Sequence, residues 1–192
     1  MSGWDFLEEE KELVERQRFK RCVYQGDEWD FSHLEPFVFH EEIDQNLTLE
    51  VLVFFSTHCF THSIKRDHRD EIPAEEDYFD GNVRRVLNPE RYALSKRFMP
   101  QIVQQLRDRH IRALGSPHFN FATFEDTEVS GRPMIYAVFF NLKKSTQRKK
   151  RLILTIESAY AIECMTAKQN KAGKVRLKTL MKAIHEGRKI KA

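Results

Sequence analysis

The chain has 192 residues, 41% hydrophobic and 32% charged, with a net charge of +3, which is enough apolar material for one packed core and excludes disorder over most of its length. The longest apolar run, Leu49 to Phe55, is broken by Glu50 and too short to span a bilayer, and Met1 to Glu12 is acidic where a secretory leader is basic and then apolar. These features predict a soluble cytoplasmic protein without membrane contact, and the three separated cysteines, Cys22, Cys59 and Cys164, read as reduced thiols.

In chain order, Glu8 to Cys22 mixes acids and bases at helical spacing over a sparse apolar stripe and predicts a loosely attached helix, so residues 1–28 read as an extension and 29–192 as one domain. Trp29 to Phe39 alternates aromatic and polar groups around Pro36, the pattern of extended chain or an edge strand. Leu47 to Ser56 is apolar on both faces and predicts a central strand. Asp67 to Asp80 is acidic, interrupted by Pro73, and reads as an exposed excursion. Asn88-Pro89-Glu90 starts a helix that continues through Leu106, with Arg91, Lys96, Arg97, Gln101, Arg107 and Arg109 on its polar face and a kink or restart expected at Pro100.

Period-two patterns then predict strands over 118–124 and 134–142, paired as a hairpin. A third strand, Arg151 to Tyr160, follows the basic link Lys143 to Arg151 and makes an antiparallel meander. Lys174 to Ile190 predicts a basic amphipathic helix. The expected fold is α+β: an antiparallel sheet of meander plus amino-terminal strand, with a long basic helix and a carboxyl-terminal helix packed on it.

Charge is unevenly divided. Residues 143–192 carry fifteen lysines and arginines against three glutamates, a surplus of +12, which leaves the first 142 residues at −9. The basic quarter faces a polyanion or merely solvates a loop and a terminal helix. His58, Cys59 and His62, following a strand end, are open to three readings. With His68 they offer zinc ligands, although adjacent His58 and Cys59 cannot easily share one ion. Cys59 can be a nucleophile or a small core residue, and a histidine can exchange protons or contact phosphate without further ligands.

The order of basic helix, three-stranded meander, a last strand ending in Ser158-Ala159-Tyr160 and a short basic segment resembles the barnase/EndoU/colicin/RelE-like group of small ribonucleases and toxins over about residues 89–190. The resemblance implies a metal-independent endoribonuclease without cofactor, acting on RNA rather than DNA, with an inhibitory protein as a possible partner. Carried over by motif, Ser158 and Tyr160 would contact substrate and Arg91 or Arg97 would hold the phosphate. His118 would exchange protons, or His58, which lies outside the span of the resemblance and reaches the site only if the strand Leu47 to Ser56 adds to the same sheet, and Lys149, Lys150 and Arg151 would extend the phosphate-binding surface. The competing expectations are a nucleic-acid-binding or regulatory protein of a bacterial or mobile-element system that does not cut, and an interaction protein whose acidic front masks its basic back.

Overall fold

The computed structural model describes residue 15 and residues 18–114 and 121–190. Strands β1 (Cys22–Tyr24) and β2 (Asp27–Trp29) form a hairpin through Gln25 and Gly26, both at positive φ, the conformation that matches a two-residue turn to strand twist. The edge strand β3 (Phe37–Asp44) pairs antiparallel with β4 (Leu47–Phe55). A small sheet follows, made of β5 (Thr61–Ser63), β6 (Asp77–Asp80) and β7 (Val83–Leu87) in the order β5-β7-β6. Helix α1 (Pro89–Gln104) leads to β8 (Ile111–Ala113) and the meander β9 (Phe121–Val129), β10 (Arg132–Lys144) and β11 (Arg151–Ile162). The chain closes with α2 (Ala167–Lys171), β12 (Lys174–Val175) and α3 (Leu177–His185).

The main sheet has seven strands in the order β12-β8-β9-β10-β11-β4-β3, and every pair is antiparallel except β11 with β4. The α+β class, the meander and the added amino-terminal strand are therefore present. The parallel pairing of β4 and β11 brings the carboxyl ends of both strands to the same end of the sheet.

One side of the sheet carries the main core. Leu94, Met99 and Ile102 of α1 and Leu177, Leu180 and Met181 of α3 pack there with Val51 and Val53 of β4 and Leu152, Leu154 and Ile156 of β11. The amphipathic stripe of each helix thus meets the alternate residues of the strands. Ile153, of opposite parity, joins Val38, Leu52 and Phe54 in a separate cluster. Because β4 and β11 are covered on both sides, their sequences are apolar almost without alternation.

The parity of β11 changes at Glu157. The register with β10 shifts between Phe139, opposite Ser158, and Phe140, opposite Ile156, so Glu157 is the extra residue of a β-bulge. Before it, even-numbered residues face the main core. After it, Ala159 and Ala161 do, and Tyr160 and Ile162 join Phe139 on the other side.

Several expectations need correction. The predicted helix Glu8 to Cys22 lies largely outside the described residues, and its end is wrong, since Cys22 opens β1. Phe19, Cys22 and Tyr24 pack against the main core, so a boundary at residue 28 would cut through a hairpin that belongs to the domain. The excursion Asp67 to Asp80 ends in β6, held by β7, and Glu76 within it is buried and paired with Arg69 at 2.6 Å. The helix α1 continues through Pro100 without a restart. Lys174 and Val175 pair with β8 as a strand before α3 begins. Among the described residues, no helix is long and apolar enough to cross a membrane.

Candidate functional site

The chain leaves β4 at Ser56 and turns sharply, with the Ser56 hydroxyl accepting from the His58 amide at 3.2 Å. Local side chain to backbone bonding of this kind replaces the ladder bonds a strand end loses. Cys59 and Phe60 then dive into the core, leaving His58 and the residues after Thr61 at the surface of a concavity of about 500 Å³. Ser158 and Tyr160 reach the same concavity from β11, Arg85 from β7 and Arg91 from the first turn of α1.

Thr61 organises the floor. Its hydroxyl donates to the Thr57 carbonyl at 2.8 Å and accepts from Nε of Arg85 at 2.6 Å. Arg91 donates through Nη1 to the carbonyls of His58 and Thr61 at 3.0 and 2.9 Å, and its guanidinium lies 4.7 Å from the Tyr160 ring centroid. The helix start that aims Arg91 is capped by Asn88, whose side chain accepts from the Arg91 amide at 2.8 Å. Lys65 and Arg66, exposed on the turn after β5, complete a ring of four cations.

Arg85 is 7% exposed and Arg91 is largely buried, yet neither makes an ion pair among the described residues. Burial lowers the pKa of both, with mutual repulsion adding to it at Arg85. A guanidinium stays protonated regardless, so the cost of desolvation is borne as uncompensated positive charge. An anion entering the concavity would relieve that cost. Among the described residues, Glu157 is the one carboxylate lining it; it accepts from the Asn141 side-chain amide at 2.9 Å and is not ion-paired.

His58 is affected by the same field. Burial, then Arg85, push its pKa down to about 4, with Arg91 adding to the depression and Asp80 opposing it. Asp80 itself is held by the Thr57 hydroxyl at 2.7 Å. His33, partly buried beside α1 and bonded to Ser95 at 2.8 Å, is also pushed to about 4, chiefly by desolvation. Both rings are neutral in the fold, whereas an unfolded chain protonates them near pH 6.5. The unfolded state therefore binds more protons between pH 6.5 and 4, and stability should fall as pH drops through that window. After discounting for partial exposure, the loss is on the order of 1 kcal/mol per pH unit for each ring. Urea titrations at pH 7, 5.5 and 4.5 should show this slope, diminished in His33→Gln and His58→Gln; an unchanged slope in both variants would contradict the assignment.

The structure brings together four of the residues singled out from sequence: His58, Ser158, Tyr160 and Arg91. It separates the others. His118 lies outside the described residues. Arg97 is exposed on α1, stacked 4.7 Å over the Phe98 ring, and does not line the concavity. Lys149 and Lys150 are exposed in the turn before β11, about 25 Å from Ser158 at 3.3 Å per residue. Arg151 is a correction: it is 2% exposed and paired with Glu50, which makes it a structural cation of the sheet rather than a phosphate contact.

The histidine and cysteine cluster also divides. His62 is engaged through both ring nitrogens, with Asp67 at 3.0 Å and Asn88 at 3.2 Å. Cys59 is fully buried and its thiol is pushed up to about 12 by burial, so it behaves as a core side chain. Among the described residues no three His, Cys, Asp or Glu side chains converge as a metal site. Sequence reasoning missed Lys65, Arg66, Arg85 and Glu157. Arg85 had one usable signal, since it sits in Val-Arg-Arg-Val-Leu, where alternation turns one of two adjacent arginines inward.

Among known families, the model of the YjaZ family matches residues 21–185. The chain belongs to the YjaZ family. The matched span begins one residue before β1 and ends with α3, so the hairpin, the small sheet, the concavity and the carboxyl-terminal helix all lie within the YjaZ unit. No curated protein and no solved structure matches the chain.

Proposed function

We propose that this YjaZ protein binds RNA by seating a backbone phosphate in the concavity at the carboxyl ends of β4 and β11, and that metal-independent cleavage is the chemistry the site suits. The observation that carries the proposal is the pair of arginines, Arg85 buried and Arg91 partly buried, which among the described residues are held by hydroxyl and carbonyl oxygens and by no carboxylate. Among the described residues Nη2 and Nε of Arg91 make no hydrogen bond, which leaves one edge of the fork for phosphate oxygens. Lys65 and Arg66 at the rim would steer the polyanion inward.

Cleavage requires a base for the ribose 2′-hydroxyl proton, fixed cations for the charge that develops on phosphorus, and a proton for the departing 5′-oxygen. His58, neutral at pH 7, is suited to the first task, the arginines to the second, and Ser158 can donate a hydrogen bond to a phosphate oxygen. The same depressed pKa disfavours an imidazolium acid for the third task. That observation favours a second reading, in which the pocket holds RNA without cutting it.

Fluorescence anisotropy of a labelled single-stranded RNA across a salt series, followed by incubation in EDTA and gel analysis, tests both. Binding that weakens with salt supports the site, and cleavage in EDTA that His58→Ala abolishes supports catalysis. Absence of RNA binding at low salt would overturn the proposal, and binding with intact RNA would leave the second reading in place of the first.

A further inference from the structure

Glu157 is anomalous in a pocket of cations. The bulge in β11 turns it to the same side of the sheet as Ser158, whereas regular alternation would send one of the two toward the main core. Its Oε1 is held by the Asn141 amide at 2.9 Å, which fixes the carboxylate, and it makes no ion pair with the surrounding arginines or lysines. A concavity that presents unpaired guanidinium groups and, apart from them, a fixed unpaired carboxylate is complementary to a ligand carrying both an anion and a hydrogen-bond donor. A carboxylate beside the anion would repel it unless a donor intervenes.

Resting on the phosphate-binding reading above in its non-cleaving form, since the single 2′-hydroxyl proton cannot go to both His58 and Glu157, we infer that Glu157 is a specificity-determining residue that accepts a hydrogen bond from the ribose 2′-hydroxyl and so selects RNA over DNA. In RNA the 2′-hydroxyl and the 3′-phosphate sit on adjacent ring carbons, so one pocket meets donor and anion together. The 2′-hydroxyl is the group by which a protein tells the two nucleic acids apart at a given site. Removing it leaves the carboxylate desolvated against an anion with no donor, which penalises DNA as well as favouring RNA.

The test is calorimetric binding of inorganic phosphate, a ribonucleoside 3′-monophosphate and its 2′-deoxy counterpart to the wild-type protein and to Glu157→Gln. Glutamine keeps an oxygen facing Asn141 but loses the charge. The wild type should prefer the ribonucleotide by at least about tenfold, the worth of one hydrogen bond to a charged group. Glu157→Gln should lose that preference while binding inorganic phosphate equally or more tightly, a gain that a merely structural role would not produce. A wild type that binds both nucleotides alike, or a variant that keeps the preference, would overturn the inference while leaving the phosphate site standing. The wild-type ratio decides even if the variant does not fold. If the wild type binds none of the three ligands, the parent reading fails with it.

Discussion

Arg91→Ala is expected to weaken phosphate and RNA binding by roughly 10- to 150-fold. That range corresponds to the about 1.5–3 kcal/mol by which a charge-assisted hydrogen bond exceeds water. Arg91 is chosen over the other cations because it is partly buried and pre-aimed. Its Nη1 is committed to two backbone carbonyls, the Asn88 cap fixes the turn it springs from, and the Tyr160 ring lies against its guanidinium. A flexible surface lysine must be ordered to bind, whereas this fork is already ordered. Arg91→Lys restores charge without the planar fork and should fall between wild type and alanine. Calorimetry with inorganic phosphate reads the effect, and circular dichroism verifies that the variants are folded. Wild-type affinity in the alanine variant would remove Arg91 from the site.

Phe60→Ala should destabilise the protein by about 3–5 kcal/mol, the cost of truncating a fully enclosed aromatic ring. Phe60 is 0% exposed and is surrounded by aromatic neighbours from separate parts of the chain: Phe19 at 4.9 Å, Phe31 at 4.3 Å and Tyr78 at 5.1 Å between centroids. It therefore joins the amino-terminal segment, the approach to β3 and the small sheet. It also anchors the turn that carries His58 and Thr61, and its carbonyl accepts from the Asn88 amide at 2.9 Å at the start of α1. Loss of the ring should accordingly depress ligand affinity even in protein that remains folded. Urea denaturation measures the first effect and phosphate titration the second. A change under about 1 kcal/mol would mean that the cavity collapses or that Phe60 is not the keystone the packing indicates.

The legible part of this molecule was its central pattern. The apolar runs Leu47 to Ser56 and Arg151 to Tyr160 announced buried strands, and the Asn88-Pro89 start announced the helix that supplies Arg91, because these signals depend on local periodicity and capping. The parallel pairing of those strands was not legible. Strand partners are chosen by packing across a hundred residues, and neither sequence specifies its neighbour. That pairing is what brings His58, read as a residue outside the resemblance, beside Ser158 and Tyr160.

Arg151 and the Lys149-Lys150 turn misled for a related reason. A basic cluster in sequence looks like one surface, but a strand carries its two ends about 25 Å apart, and Arg151 turns inward to Glu50 while Arg85, from an acidic-looking neighbourhood, turns into the site. Glu157 could be recognised only from the bulge, which reverses parity without a glycine or proline to mark it.

Titration of ¹⁵N-labelled protein with inorganic phosphate, followed by amide chemical shifts, tests the central claim most directly. Saturable changes concentrated at His58, Thr61, Arg85, Arg91, Ser158 and Tyr160, and absent at Lys149 and Lys150 beyond a weak, salt-sensitive drift, are the predicted result. Saturable shifts centred on the Lys149-Lys150 turn with none around Arg91, or no saturable shifts at all, would contradict the assignment of the concavity as a phosphate site.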